Sequence, residues 1–184
     1  MNRRATAPRE EEHMGPFESA RLTFRESEAE DLPALLAIYQ SNPDFVRQNE
    51  GSAGEPGHYD MEMMQRDWWV LKLMPGSHIL AMTLKETGAV IGRADYLEEH
   101  EDGYPWLGAL LLDATYQRQG LGREAFERLA QYLRETYGWP RLRLGVRRAN
   151  VGALAFWRSL GFELVNSDAV DDSRREAVTL ERAL

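Results

Sequence analysis

The 184-residue sequence predicts an α/β layered domain built on a mixed sheet, and three observations carry that reading. Segments of period-two and helical spacing follow one another in the order β-α-α-β-β-β-α-β-α-β-β. The unbroken apolar run "WLGALLLD" (residues 106–113) has the length and composition of a central strand. It leads into a glycine pair, Gly120 and Gly122, at the front of a long amphipathic stretch. No repeat or composition break marks a second domain. Residues 1–19 read as a mobile N-terminal lead-in and residues 20–184 as one domain.

"RLTFRES" (residues 21–27) alternates as a first strand, with Leu22 and Phe24 on one face. "SEAEDLPALLAIYQ" follows as a helix: Leu32, Leu35, Leu36 and Tyr39 recur at helical spacing behind acidic residues that suit the helix dipole. The Gly-, Pro-, Asn- and Ser-rich stretch that follows reads as a long loop, covering residues 42–58. A second helix over residues 59–74 carries Met61, Met64, Trp68 and Leu71 on one stripe. Two strands joined at "KETG" form a hairpin, and the apolar run comes next, expected to be covered on both faces. Its Gly108 marks a bulge or a close backbone approach. Residues 120–137 form a helix with Phe126, Leu129, Leu133 and Tyr137 inward, stopped by Gly138 ahead of Pro140. "RLRLGVR" alternates as a strand, "VGALAFWRSLG" is a short helix after Asn150, and "FELVN" and "EAVTLERAL" are two last strands around "DSRR".

Composition excludes several classes of function. A net charge of −8 and a pI of about 5.1 argue against non-specific nucleic-acid binding. Cysteine is absent, so no disulfide, thiolate metal site or cysteine nucleophile is expected, which agrees with a cytoplasmic location. No apolar run approaches the ~18–20 residues of a membrane helix, and the N-terminus lacks the apolar core of a secretory signal.

The glycine pair has two readings. It is a tight turn, or it lets an anion approach the unpartnered N–H groups at a helix start, where the dipole is positive. Other nucleotide signatures are missing: no Lys-Ser/Thr follows the pair, and no GxGxxG follows an N-terminal strand.

Residues Gln117–Arg118–Gln119–Gly120–Leu121–Gly122 fit the pattern Gln/Arg-x-x-Gly-x-Gly/Ala. About 30 residues on comes Asn150-x-x-Ala153-x-x-Phe156–Trp157-x-x-x-Gly161–Phe162. Together, in this frame of strands and helices, they resemble the GNAT superfamily of acyl-CoA-dependent N-acetyltransferases, over about residues 21–184. The resemblance implies a single GNAT-like domain: a mixed, mostly antiparallel sheet flanked by helices, with acetyl-CoA (coenzyme A) bound. It implies that the main-chain amides of Gln117, Arg118, Gln119, Gly120, Leu121 and Gly122 hold the pyrophosphate. Arg118 and Arg123 add charge there or are solvated helix-end residues. Leu110, Leu111 and Leu112 would run along the pantetheine arm, with the Leu110 N–H polarising the thioester carbonyl. Asn150 would contact the cofactor, cap a helix, or do both. Phe156 and Arg158 complete the cofactor set, Arg158 toward its adenine or phosphate end.

The chain departs from the family pattern at Trp157, where many members carry the tyrosine that protonates the leaving thiolate. Indole cannot deliver that proton, so packing is the expected role of Trp157. For the base that takes the amine's proton, the candidates are Asp95 and Glu98, the latter opening the charge run "EEHED", which otherwise reads as a solvated turn. His100 is a more distant candidate, and His78 is read as structural. The acceptor is expected between the 42–58 loop, the first two helices and the final hairpin. It would be a primary amine on a small molecule or a protein N-terminus, in a monomer or homodimer. Two functions compete: acetyl transfer by direct attack in a ternary complex, and an acyl-CoA-binding module with little or no activity. A glycine turn that binds nothing is the third possibility.

Overall fold

The computed structural model describes residues 15–49, 58–165 and 177–184. Its sheet has the strands β1 (Phe17–Glu18), β2 (Leu22–Glu26), β3 (Ser77–Leu84), β4 (Val90–Leu97), β5 (Trp106–Leu112), β6 (Arg141–Arg147), β7 (Glu163–Leu164) and β8 (Ala177–Ala183). Their spatial order is β1-β2-β3-β4-β5-β6-β8-β7. All neighbours are antiparallel except β5 and β6, which are parallel. Helices α1 (Leu32–Gln40), α2 (Pro43–Asn49), α3 (Met61–Leu73), α4 (Leu121–Tyr137) and α5 (Val151–Ser159) cover it.

Two apolar clusters sandwich the sheet. One joins α4 and α5 to the strands through Phe126, Leu129, Leu133, Leu142, Leu144 and Leu180. The other joins α1 and α3 to the opposite face through Leu35, Ile38, Met64, Trp68, Ile79 and Leu111. Each fully buried side chain of this size contributes ~1.5–3 kcal/mol. In α4 the stripe Leu121, Ala125, Phe126, Leu129 and Leu133 is buried, and Gly138 ends the helix at φ +68° with its N–H on the Arg134 carbonyl. In β6 the alternation places Leu142, Leu144 and Val146 inward.

Two elements differ from expectation. The sheet begins inside the stretch read as a lead-in: Phe17 stacks between Phe24, at 4.7 Å, and Tyr132, at 4.1 Å. The segment read as a long loop contains α2, which starts at Pro43, a residue whose fixed φ suits a first turn. Its Val46 is buried in the α1–α3 cluster. The rest of the lead-in with His13, the loop acids Glu50 and Glu55, and "DSRR" lie outside the described residues.

The closed end of the β5–β6 pair is pinned by charge. Arg143 bonds Asp102 at 2.9 Å and Glu181 at 2.8 Å, and lies 3.5 Å over the Tyr104 ring. Asp102 also accepts from the Trp106 indole. The "EEHED" run is therefore a turn with a structural acid at each end, Glu98 on His78 and Asp102 on Arg143. His100 stacks on Trp106 there.

Candidate active site

The site starts from a break in the sheet. Strands β5 and β6 pair only at Trp106↔Arg143 and Leu107↔Leu144. Beyond Leu107 the two strands have no registered pairing, which opens one edge of β5, while both faces are covered as its apolarity suggests: Leu112 packs in the α4–α5 cluster and Leu111 in the α1–α3 cluster. Gly108 is exposed, and Ala109 and Leu110 are half-buried. The parting coincides with a bulge: Asp95 pairs with Ala109 and Tyr96 with Leu107, leaving Gly108 as the extra residue.

Strand alternation decides which main-chain groups of β5 face the gap. The Asp113 N–H donates to Ile91 on β4, at 2.9 Å. By period two, Leu111 also turns its N–H and C=O to β4, and Leu110 and Leu112 turn theirs away. The Leu112 carbonyl accepts from Asn42 Nδ2 at 2.9 Å and Gln117 Nε2 at 3.0 Å. Leu110 is thus the residue of the expected three whose main chain best addresses the gap, and Leu111 does not.

The glycine pair lies at the far end of the gap. Gly120 sits at φ +81° as the N-cap of α4, a conformation that favours glycine. Arg118 is at φ +61°, the one positive φ at a non-glycine among the described residues, which costs about 1–2 kcal/mol. Gly122 has no such backbone demand. A Cβ there would lie 3.5 Å from Phe156 and 3.8 Å from Leu112, which is ordinary contact. The protein's own packing does not require glycine at position 122. The Glu124 N–H is the first in α4 to reach a carbonyl, that of Gly120, so the N–H groups of Leu121, Gly122 and Arg123 precede the first intrahelical bond.

Several expected cofactor residues have structural work. The Gln117 N–H bonds Ala114, and its side chain bonds Asn42 Oδ1 at 2.7 Å, so Gln117 anchors the loop. Arg123 donates to the Ser159 carbonyl at 3.0 Å and ties α4 to the end of α5. Asn150 caps α5, its Oδ1 accepting from the Ala153 N–H at 3.0 Å. The Gln119 side chain bonds the Thr115 carbonyl. Arg118 and Arg158 are exposed. Trp157 is 8% exposed and packs edge-on to Phe126 and Phe162, the packing role expected of it.

On the α1–α3 face, beside the bulge, lies a cavity of about 290 Å³ lined by Tyr39, Phe45, Asp67, Val70, Leu71, Arg93, Asp95, Gly108 and Ala109. Asp95 is 7% exposed and Arg93 2%, and Arg93 Nε bonds Asp95 Oδ1 at 2.5 Å. Burial alone would lower the Arg93 pKa, but the Asp95 charge outweighs it and leaves the guanidinium firmly protonated. The other carboxylate oxygen, Oδ2, lies 3.6 Å from where a Gly108 Cβ would be. Asp67 accepts from Tyr59 at 2.7 Å and Arg66 at 2.8 Å.

Of the two candidate bases, the structure brings Asp95 to this cavity and not Glu98. Glu98 follows the end of β4 and bonds His78 Nε2 at 2.9 Å. His78 stacks on Tyr96, whose ring belongs to the α4–α5 cluster on the other side of the sheet. Sequence reasoning missed Arg93. Its signal is the Arg-x-Asp spacing in a strand, which puts opposite charges on one face. Among the described residues no group of His, Cys, Asp and Glu is arranged to hold a metal ion, and no helix is long and apolar enough to cross a membrane.

Comparisons with known proteins agree with this architecture. A spermine/spermidine N(1)-acetyltransferase of Bacillus subtilis (strain 168) is 32% identical over 69 residues, 38% of this chain and 45% of that protein. The [ribosomal protein bS18]-alanine N-acetyltransferase of Escherichia coli (strain K12) is 39% identical over 75 residues, 39% of this chain and 50% of that one. The chain thus matches about half the length of these relatives. The crystal structure of a spermidine N-acetyltransferase from Vibrio cholerae, in complex with CoA and spermine, superposes with a TM-score of 0.67 at 12% identity, covering 89% of this chain and 96% of that one. Residues 21–163 match the acetyltransferase (GNAT) domain, and the chain belongs to that family.

Proposed function

We propose that this protein transfers an acetyl group from acetyl-CoA to a primary amine by direct attack in a ternary complex. The observation that carries the reading is the parting of β5 from β6 after Leu107, with the start of α4 at one end of the gap and the Asp95 cavity beside the bulge. The gap suits an extended donor, the helix start suits its phosphates, and the cavity suits an acceptor. Coenzyme A in the Vibrio cholerae relative supports the same donor here.

The N–H groups from Arg118 to Arg123, freed of side-chain bulk at Gly120 and Gly122, receive the pyrophosphate. Asn150 offers Nδ2 to the donor while Oδ1 caps α5. Phe156 packs beside Gly122, and Arg158 lies near the nucleotide end. The Leu110 N–H faces the gap and stabilises charge developing on the thioester oxygen. Asp95 Oδ2 takes the amine's proton. Bound acetyl-CoA supplies the activated acyl group: nitrogen bonds to the carbonyl carbon, the C–S bond breaks, and coenzyme A leaves as a thiolate. Trp157 supplies no proton to it, and with a thiol pKa near ~8.5 the departing group is protonated by solvent. The net products are an N-acetyl amide and free coenzyme A.

Thiol release from acetyl-CoA, measured with and without an amine panel, tests this. Amine-dependent release supports transfer. Saturable acetyl-CoA binding with no amine-dependent release supports the binding-module reading instead.

A further inference from the structure

The cavity beside the bulge holds a donor that the protein does not use. Arg93 lines it, is 2% exposed, and spends Nε on Asp95 Oδ1. Its guanidinium lies 5.5 Å over the Tyr39 ring. Tyr39 in turn stacks on Tyr59 at 4.8 Å, and Tyr59 donates to Asp67 at 2.7 Å. The guanidinium is therefore held on one edge and one face. Yet Arg93 Nη1 has no hydrogen-bond partner among the described residues. A buried cationic donor left unmade carries its full desolvation cost, so such a group calls for an acceptor atom from elsewhere.

Asp95 presents the complementary feature. Its Oδ2 lies against Gly108, on the cavity wall. Arg93 and Asp95 stand two residues apart on β4, so their side chains share a face. Both residues line the cavity, and the pair holds an acceptor, Oδ2, and an unbonded buried donor, Nη1. A plain amine satisfies only the first. A protonated polyamine carries donors alone and would set further positive charge near Arg93. An amine whose neighbouring carbon bears a carbonyl satisfies both.

We propose that Arg93 selects the acceptor, and that the acceptor is an α-amino carbonyl compound: its nitrogen goes to Asp95 Oδ2 and its carbonyl oxygen accepts from Arg93 Nη1. This rests on the acetyl-transfer reading above and narrows it from primary amines to the unit shared by amino acids and peptide N-termini.

The test compares alaninamide with isopropylamine, which replaces the carboxamide by a methyl group, and with spermidine. Two readouts are taken: amine-dependent thiol release from acetyl-CoA, and calorimetric binding of each amine to the coenzyme A-loaded protein. Alaninamide is expected to exceed both others by ~10–100-fold, the range for a hydrogen bond to a charged group. Arg93→Lys keeps a cation beside Asp95 but removes the Nη1 donor, and it should close the gap. An α-amino group titrates near ~8 and a plain amine near ~10.4, so each amine's response is compared per neutral molecule; if the variant does not fold, that corrected wild-type comparison decides. Isopropylamine or spermidine equal to alaninamide, or a gap that survives in Arg93→Lys, overturns the proposal and leaves acetyl transfer standing. Selective alaninamide binding without thiol release supports Arg93 recognition and removes the transferase reading. No binding and no release with any amine removes both. Alanine and trialanine, run alongside, separate a free amino acid from a peptide N-terminus as the source of the unit.

Discussion

Gly108 bulges from β5 beside Asp95, and the carboxylate Oδ2 lies 3.6 Å from where a Cβ on Gly108 would stand. The bulge sets an acid at the point where the sheet opens. Asp95→Asn should lower amine acetylation by ~10²–10⁴-fold, the usual worth of a positioned base, with acetyl-CoA affinity retained. Steady-state thiol release beside a binding titration checks this. Asp95→Ala strands the buried Arg93 charge and should destabilise the fold by ~3–5 kcal/mol, read from denaturant unfolding.

Gly122 separates what the fold needs from what the ligand needs. A Cβ there meets Phe156 at 3.5 Å and Leu112 at 3.8 Å, so Gly122→Ala should hold or raise stability by up to ~1 kcal/mol through helix propensity. Gly122→Glu should fold and yet lose acetyl-CoA affinity, because it sets bulk and negative charge where phosphate is expected. Urea melts and titrations on both variants decide it. Near-normal affinity in Gly122→Glu would remove the loop from the binding site.

Gly120 behaves differently because its φ is +81°. Gly120→Ala should cost about 1–2 kcal/mol from the left-handed backbone alone. Thermal unfolding would show it, and no loss would contradict the N-cap geometry.

Asn150→Ala removes a cap worth ~1 kcal/mol. If Asn150 also contacts the donor, acetyl-CoA affinity should fall with stability. A stability loss at unchanged affinity would leave Asn150 as a cap only.

The His78 cluster predicts a pH dependence of stability. Burial works against the charged forms of His78 and Glu26, but the bonds among His78, Glu26, Glu98 and Lys72 outweigh it, raising the His78 pKa and lowering that of Glu26. The Glu26 contribution is present above its unfolded pKa of about 4.3 and is lost as pH falls through its lower folded value. The His78 contribution is complete below its unfolded pKa of about 6.5 and is lost as pH rises through its raised folded value. The cluster should therefore contribute most from about pH 5 to 6.5, by on the order of 1 kcal/mol for such partly exposed pairs. Melting His78→Gln beside the wild type from about pH 6 to about pH 9 should show the gap shrinking toward alkaline pH, as His78 loses its proton above its unfolded pKa. A constant gap would contradict it.

Much of this molecule was legible from local pattern. The α4 stripe and the alternation of β6 need only neighbours in sequence, and they fold as read. Gly108 announced its bulge because glycine in an apolar strand has few other reasons to be there. The short β1 has no periodicity, and Phe17 is defined by its stacking on Phe24 and Tyr132, which sequence spacing does not reveal. Helix α2 was hidden by loop-like composition, although Pro43 followed by Phe45 and Val46 carries a start signal and an inward face. Of the candidate site, the backbone features were legible: the left-handed turn at Gly120, the open space at Gly122 and the strand at Leu110. The site was not legible where it depends on distant partners. Gln117 is held by Asn42, Glu98 is drawn to His78 across the sheet, and Arg93 is buried by Asp95 and Tyr39 together.

The parted strands and the start of α4 are proposed as the donor site for acetyl-CoA. A calorimetric titration of the wild type with acetyl-CoA, repeated on Gly122→Glu, tests it most directly. The expected result is a saturable isotherm with one molecule bound per chain, strongly weakened in the variant. No heat and no thermal shift with the wild type, or an equal isotherm with Gly122→Glu, would contradict it.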